Sequence, residues 1–102
     1  MDTLVFTNDV AARRYRATLN GAEVAYVEID PIGADSMLIK HTEVPTVHEG
    51  SGYGSAIVRH LLDDLRAQGK TVVPICPFTA AFMKRHPEYL DLVMPSFRAA
   101  MK

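Results

Sequence analysis

Between Arg13 and Leu19 the side chains alternate, with Tyr15, Ala17 and Leu19 apolar and Arg14, Arg16 and Thr18 between them. A period of two marks a strand with one buried face. Asn20-Gly21 follows, a dipeptide suited to a two-residue hairpin because both positions tolerate positive φ. Val24, Tyr26, Val27 and Ile29 predict a second strand, ended by Asp30-Pro31 and Gly33. A third runs from Met37 to Val44, with Leu38 and Ile39 apolar, and Pro45 closes it because proline has no N–H to give a ladder. The first half therefore predicts an antiparallel meander.

The pattern then changes period. A loop from Val47 to Gly54 holds Gly50, Gly52 and Gly54. From Ser55 to Gln68, Ile57, Val58, Leu61, Leu62 and Leu65 recur at helical spacing, while Arg59, His60, Asp63, Asp64 and Arg66 fill the other face. Gly69 stands where a helix end favours a left-handed residue. Thr71-Val72-Val73-Pro74-Ile75 predicts a short buried strand, Pro77 opens a second helix and His86-Pro87 stops it. Leu92, Val93, Met94 and Phe97 suit a last strand, a docking segment or a dimer contact, and the pattern leaves oligomeric state open. Strand, glycine loop, helix and strand in succession form a crossover, so the third and fourth strands are expected as parallel neighbours. The expected class is a mixed α/β sheet over one domain, residues 1–102.

Composition narrows the class. Eleven Lys and Arg against twelve Asp and Glu give a formal net charge of -1, unlike the basic excess of a dedicated nucleic-acid binder. Apolar residues at 48% and charged residues at 23% are those of a soluble globular protein. No run approaches the roughly 20 apolar residues of a membrane span. The start, Met1 to Phe6, lacks a basic segment followed by an apolar one, so no secretory signal is expected. The lone Cys76 excludes an internal disulfide and suits a reducing compartment; the expected location is cytoplasmic. His48, His60 and His86 show no ligand spacing, and no metal is expected.

Glu49-Gly50-Ser51-Gly52-Tyr53-Gly54-Ser55 lies between a strand and a helix start. Glycines there allow positive φ and a close backbone approach, and the free N–H groups of a first helical turn favour an anion such as a phosphate. A tight connection without ligand is the plainer alternative, but three glycines in five residues exceed what a turn requires. A P-loop would need Gly-Lys-Ser/Thr, which is missing, and the spacing G-x-G-x-G is not the dinucleotide fingerprint.

The spacing resembles the pyrophosphate loop of the GNAT acetyltransferase superfamily, Q/R-x-x-G-x-G/A. Gly52 and Gly54 take its small positions and Glu49 stands where Gln or Arg is usual. With His41-Thr42-Glu43-Val44-Pro45, Cys76-Pro77-Phe78 and His86-Pro87-Glu88-Tyr89, the chain is similar to a minimal GNAT-like N-acetyltransferase subfamily of this length. The resemblance implies a GNAT-like sheet with a splayed parallel strand pair, and acetyl-CoA or CoA as co-substrate. It implies that Thr42, Glu43 and Val44 line the pantetheine arm. It also implies that Glu49, Gly50, Ser51, Gly52, Tyr53, Gly54 and Ser55 form the pyrophosphate loop. The carboxylate of Glu49 is a departure that weakens an anion site.

Cys76 directly precedes Pro77, a residue favoured at the first position of a helix, where a thiol can become a nucleophile; simple packing is the alternative. The resemblance suggests that this cysteine lies near the thioester, where an acetyl-cysteine is conceivable. His41, inside the third strand, is a candidate base for Cys76 or for an incoming amine, provided the two share a face. The expected function is acetyl-CoA-dependent N-acetyl transfer to an unknown amine, with Cys76 and His41 as catalytic candidates. The alternative is a CoA- or acetyl-CoA-binding module without turnover.

Overall fold

The computed structural model describes residues 3–101; residues 1–2 and 102, the ends of the expected domain, lie outside the described residues. Five strands form one sheet in sequence order: β1 (Val5–Asp9), β2 (Arg14–Leu19), β3 (Ala22–Ile32), β4 (Ser36–Glu43) and β5 (Thr71–Pro74). The first four pair antiparallel and β5 joins β4 in parallel. The meander and the parallel crossover are as the sequence predicts. β1 is additional, since Val5-Phe6-Thr7-Asn8-Asp9 shows too little alternation to announce a strand and takes its register from β2.

Two helices complete the fold. α1 (Tyr53–Ala67) starts two residues before the predicted helix and supplies the crossover; α2 (Pro77–Arg85) begins on Pro77. The tail, for which the sequence left a last strand and a docking segment open, is a run of 3-10 turns, Pro87–Leu92 and Pro95–Met101, with one bridge between Val93 and Val72. β3 passes through Pro31, which the sequence placed at its end. Pro31 pairs with Met37 only on the β4 side, because β2 has already finished opposite Glu28. The missing N–H therefore faces no neighbouring strand.

The two faces of the sheet differ. Tyr15, Ala17, Val27, Ile29 and Ile39 are buried against Ile57, Val58, Leu61, Leu62 and Leu65 of α1. Each buried Val, Ile or Leu side chain contributes about 1.5–3 kcal/mol relative to exposure, so this layer holds the helix to the sheet. The other face carries ion pairs of Arg16 with Asp9 and Glu23, of Arg14 with Glu28, and of Asp30 with Arg13 and Lys40. No helix among the described residues is long and apolar enough to cross a membrane.

Candidate functional site

The site begins where β4 and β5 part. The ladder between them runs only from Ser36↔Thr71 to Ile39↔Pro74, whereas β4 continues to Glu43. Each strand contributes an irregularity. On β4, Ile39 faces Ile29 while His41 faces Glu28 of β3, leaving Lys40 as an extra residue. Such a bulge bends its strand and resets which side chains share a face. On β5, the Ile75 N–H turns back to the Val73 carbonyl at 3.1 Å, Ile75 is left 52% exposed, and the Cys76 N–H takes the Ile39 carbonyl at 3.0 Å. Beyond that bond β4 has no strand on its β5 side.

The gap opens into a cavity of about 430 Å³. Its walls are the end of β4 at Thr42, Glu43 and Val44, the loop residues His48, Glu49 and Gly50, the start of α1 from Gly52 to Ser55, and Phe78 of α2. Of the residues expected around a cofactor, only Ser51 is not on the wall; its N–H bonds the His48 carbonyl at 3.3 Å. His48 and Phe78 join the wall without having been singled out. His48 owes its place to the 3-10 turn Thr46–His48 and an edge contact with the Tyr53 ring, 5.7 Å between centroids.

The glycines have different reasons. Gly50 and Gly52 adopt φ of 82° and 81°, the left-handed region, and a Cβ on either would meet open space. Gly52 occupies the N-cap of α1, so no side chain caps the helix. The first intrahelical bond is Ala56 N–H to Gly52 carbonyl, 3.0 Å. The N–H groups of Tyr53, Gly54 and Ser55 precede it, at the positive end of the helix dipole and on the cavity wall. Gly54 has ordinary helical φ. A Cβ there would stand 2.8 Å from the Phe78 ring and 3.3 Å from a Val44 methyl. Close packing, rather than backbone freedom, requires this glycine, and the sequence held no sign of that because Phe78 is remote in the chain. Among the described residues no Lys or Arg stands on the wall, so an anion there would rely on backbone N–H groups and the helix dipole.

Cys76 is buried at the N-cap of α2, just behind this wall. Its Sγ shares a 3.5 Å hydrogen bond with the hydroxyl of Thr42, which faces the cavity. Burial pushes the Cys76 thiol up, and this is the largest single influence. The Thr42 hydroxyl, the amide and hydroxyl of Thr79 and the Phe78 amide together outweigh it, leaving the thiol below its ordinary value. Thr79 is fully buried, and its Oγ1 completes no hydrogen bond of normal geometry.

His41 does not meet Cys76. The Lys40 bulge sets His41 opposite Glu28 on the ion-paired face, whereas Thr42, opposite buried Val27, turns to the helices and the thiol. The condition of a shared face therefore fails, and Thr42 occupies the place expected of the imidazole. His41 is 51% exposed, lies edge-on to Tyr26, and bonds Glu43 through Nε2 at 2.9 Å. His60 stacks on Phe6 at 4.4 Å and His86 packs on Phe82 at 4.3 Å. Both serve packing.

The sequence matches the family of GCN5-related N-acetyl-transferases over residues 14–92. The chain belongs to that family. Three solved structures share the fold. A GCN5-like N-acetyltransferase candidate from Staphylococcus aureus superposes with a TM-score of 0.70 at 16% identity, covering 92% of this chain and 91% of that one. The ribosomal-protein-S18-alanine N-acetyltransferase from Escherichia coli gives 0.58 at 19% identity, covering 72% of this chain and 66% of the enzyme. A GNAT-family acetyltransferase candidate from Desulfovibrio desulfuricans gives 0.53 at 17%, covering 74% of this chain and 52% of that protein. The chain thus spans about two thirds of the Escherichia coli enzyme and half of the Desulfovibrio protein. No curated protein matches the sequence.

Proposed function

We propose that this protein is an acetyl-CoA-dependent N-acetyltransferase of the cytoplasm, acting as a single domain on an amine of small or exposed type. The supporting observation is the forked cavity. It combines strand backbone without a neighbour at Thr42–Val44 with an uncapped helix N-terminus behind two left-handed glycines. The first suits an extended amide-bearing arm and the second a pyrophosphate. Thr42, Glu43 and Val44 would hold the arm, and residues 49–55 the phosphates.

In the transfer, the neutral amine attacks the thioester carbonyl, the C–S bond breaks, and the amine's proton passes to a base while the CoA thiolate takes one up. Positioning and stabilisation of the developing oxyanion supply most of the rate. His41, held by Glu43, is the candidate base for the amine rather than for the thiol. Cys76 stands behind Thr42 as the candidate for a two-stage route, in which its sulfur takes the acetyl group, releases CoA, and passes the group to the amine. A second reading, a CoA-binding module without turnover, is favoured by one observation: Glu43 and Glu49 are on the wall of a cavity that carries no Lys or Arg among the described residues.

The test is calorimetry with CoA and release of free CoA from acetyl-CoA across a panel of amines, with intact-mass measurement of the protein. Binding and amine-dependent release are expected. An acetyl adduct that maps to Cys76 and is discharged by amine supports the two-stage route, and turnover without it supports direct transfer. Binding with no release by any amine favours the module. Absence of CoA binding overturns both readings.

A further inference from the structure

A second cavity lies at the other end of α2 and shares no residue with the first. It encloses about 290 Å³ and is lined by Lys84, Leu90, Val93, Arg98 and Met101. Lys84 sits in the last turn of α2, Leu90 in the first 3-10 run, and Arg98 and Met101 in the second. Val93 is bridged to Val72, and the Met94 N–H bonds the Val72 carbonyl at 2.9 Å, so the floor is fastened to the edge of β5. Val93 and Met101 are buried and Leu90 partly so, which makes that floor apolar.

Among the described residues, the charged side chains on this wall, Lys84 and Arg98, are of one sign. Neither Lys84 nor Arg98 forms an ion pair among the described residues, and no carboxylate is on the wall. The Arg98 guanidinium is oriented by two backbone carbonyls, Nε to Val93 at 3.2 Å and Nη2 to Asp91 at 3.4 Å. Its remaining N–H groups are unspent. The Asp91 carboxylate, which also feels the Arg98 charge, is hydrogen-bonded by the Arg66 fork at 2.8 and 2.9 Å. A pre-oriented guanidinium and an ammonium beside an apolar floor match a ligand with an anionic head and a compact apolar body. We infer that this second cavity is a binding site for a small amphipathic carboxylate, separate from the acetyl-transfer cleft and independent of its function. The cavity is at the small end of ligand-pocket sizes, which selects a medium-chain or aromatic acid over a long-chain lipid.

The experiment is titration of the full chain with octanoate, octanol and octylamine, read by methyl and amide NMR shifts, with circular dichroism confirming that each variant is folded. Octanoate is expected to shift Leu90, Val93 and Met101 at low-millimolar concentration or below. Lys84→Gln and Arg98→Gln are each expected to weaken it about ten-fold, the scale of one charge-assisted hydrogen bond, and to leave octanol unaffected. Arg98→Lys keeps the charge and is expected to retain part of the affinity. Octanol binding as tightly as octanoate, shifts confined to Tyr53 and Phe78, or no shifts at all would each overturn the proposal. So would tight binding to anionic vesicles without octanoate binding, which would make the site a membrane contact.

Discussion

The two halves of β4 are one strand with different neighbours. From Ser36 to Ile39 it is paired on both sides, and the side chains that turn to the helices, Met37 and Ile39, enter the core. From Lys40 to Glu43 it is paired on the β3 side alone, and Thr42 and Glu43 face a cavity. One extra residue on β4 and one turned-out residue, Ile75, convert a closed sheet into a fork. The closed half supplies rigidity through burial, and the open half supplies unspent backbone groups beside a rigid wall. A site made largely of main chain depends on where hydrogen-bonding stops.

The contrast can be tested in order of decreasing effect. On the closed side, Leu62→Ala removes a fully buried α1 side chain. It is expected to cost about 2–5 kcal/mol in denaturant unfolding while leaving CoA affinity of the folded protein unchanged. A large loss of affinity without loss of stability would show that the halves are not separable.

At the boundary, Gly54→Val drives a side chain into the Phe78 ring and Val44. An overpacking cost of about 1–3 kcal/mol is expected, with loss of CoA binding, and Phe78→Ala in the same chain should recover much of the stability. Failure of the second change to help would mean that Phe78 is not what demands the glycine.

On the open side, Gly52→Ala keeps the space free but places a side chain at φ 81°, costing about 1 kcal/mol. Calorimetry should show weaker CoA binding through a distorted helix start.

Smaller still is the effect of Thr42→Val on the thiol. Burial of Cys76 opposes ionisation while Thr42, Thr79 and Phe78 favour it, so removing one donor should move the pH profile of alkylation to higher pH with little change in stability. An unmoved profile would assign the effect to Thr79 and the helix amides.

The smallest effect belongs to Arg66→Gln. Its hydrogen bond to Asp91 is the main reason that carboxyl titrates below its ordinary value. The native pKa is below the unfolded one, so this stabilisation is present above about pH 4 and fades as pH falls through the native pKa. Wild-type and variant stabilities should differ slightly near neutrality and converge in acid. A gap that persists in acid would mean that Arg66 acts instead through contacts that do not titrate there, its hydrogen bond to the Glu88 carbonyl at 2.8 Å and its place over the Tyr89 ring at 5.9 Å.

Much of the fold was written in local pattern. Alternation at Tyr15, Ala17 and Leu19, the Asn20-Gly21 turn and the helical spacing from Ile57 to Leu65 each express a period that the backbone imposes on burial. Nearly all the wall of the first cavity was legible too, because Thr42–Val44 and Glu49–Ser55 are contiguous stretches. The irregular parts were not legible. β1 has little pattern of its own, Pro31 is tolerated only because β2 ends first, and the tail beyond Leu90 forms 3-10 turns around one bridge.

The sequence alone determined the meander, the crossover, the glycine-loop junction and the position of Cys76 at a helix start, because these depend on near neighbours in the chain. Only the tertiary structure decided which residues meet. It turned His41 to the ion-paired face and set Thr42 against the thiol, because a single bulge residue inverts the alternation that a uniform strand would keep. It gave Gly54 its reason in Phe78 and assembled Lys84, Leu90, Val93, Arg98 and Met101 around a second cavity. Contacts of that kind arise from strand register and helix packing, which a one-dimensional pattern constrains only where its period is unbroken.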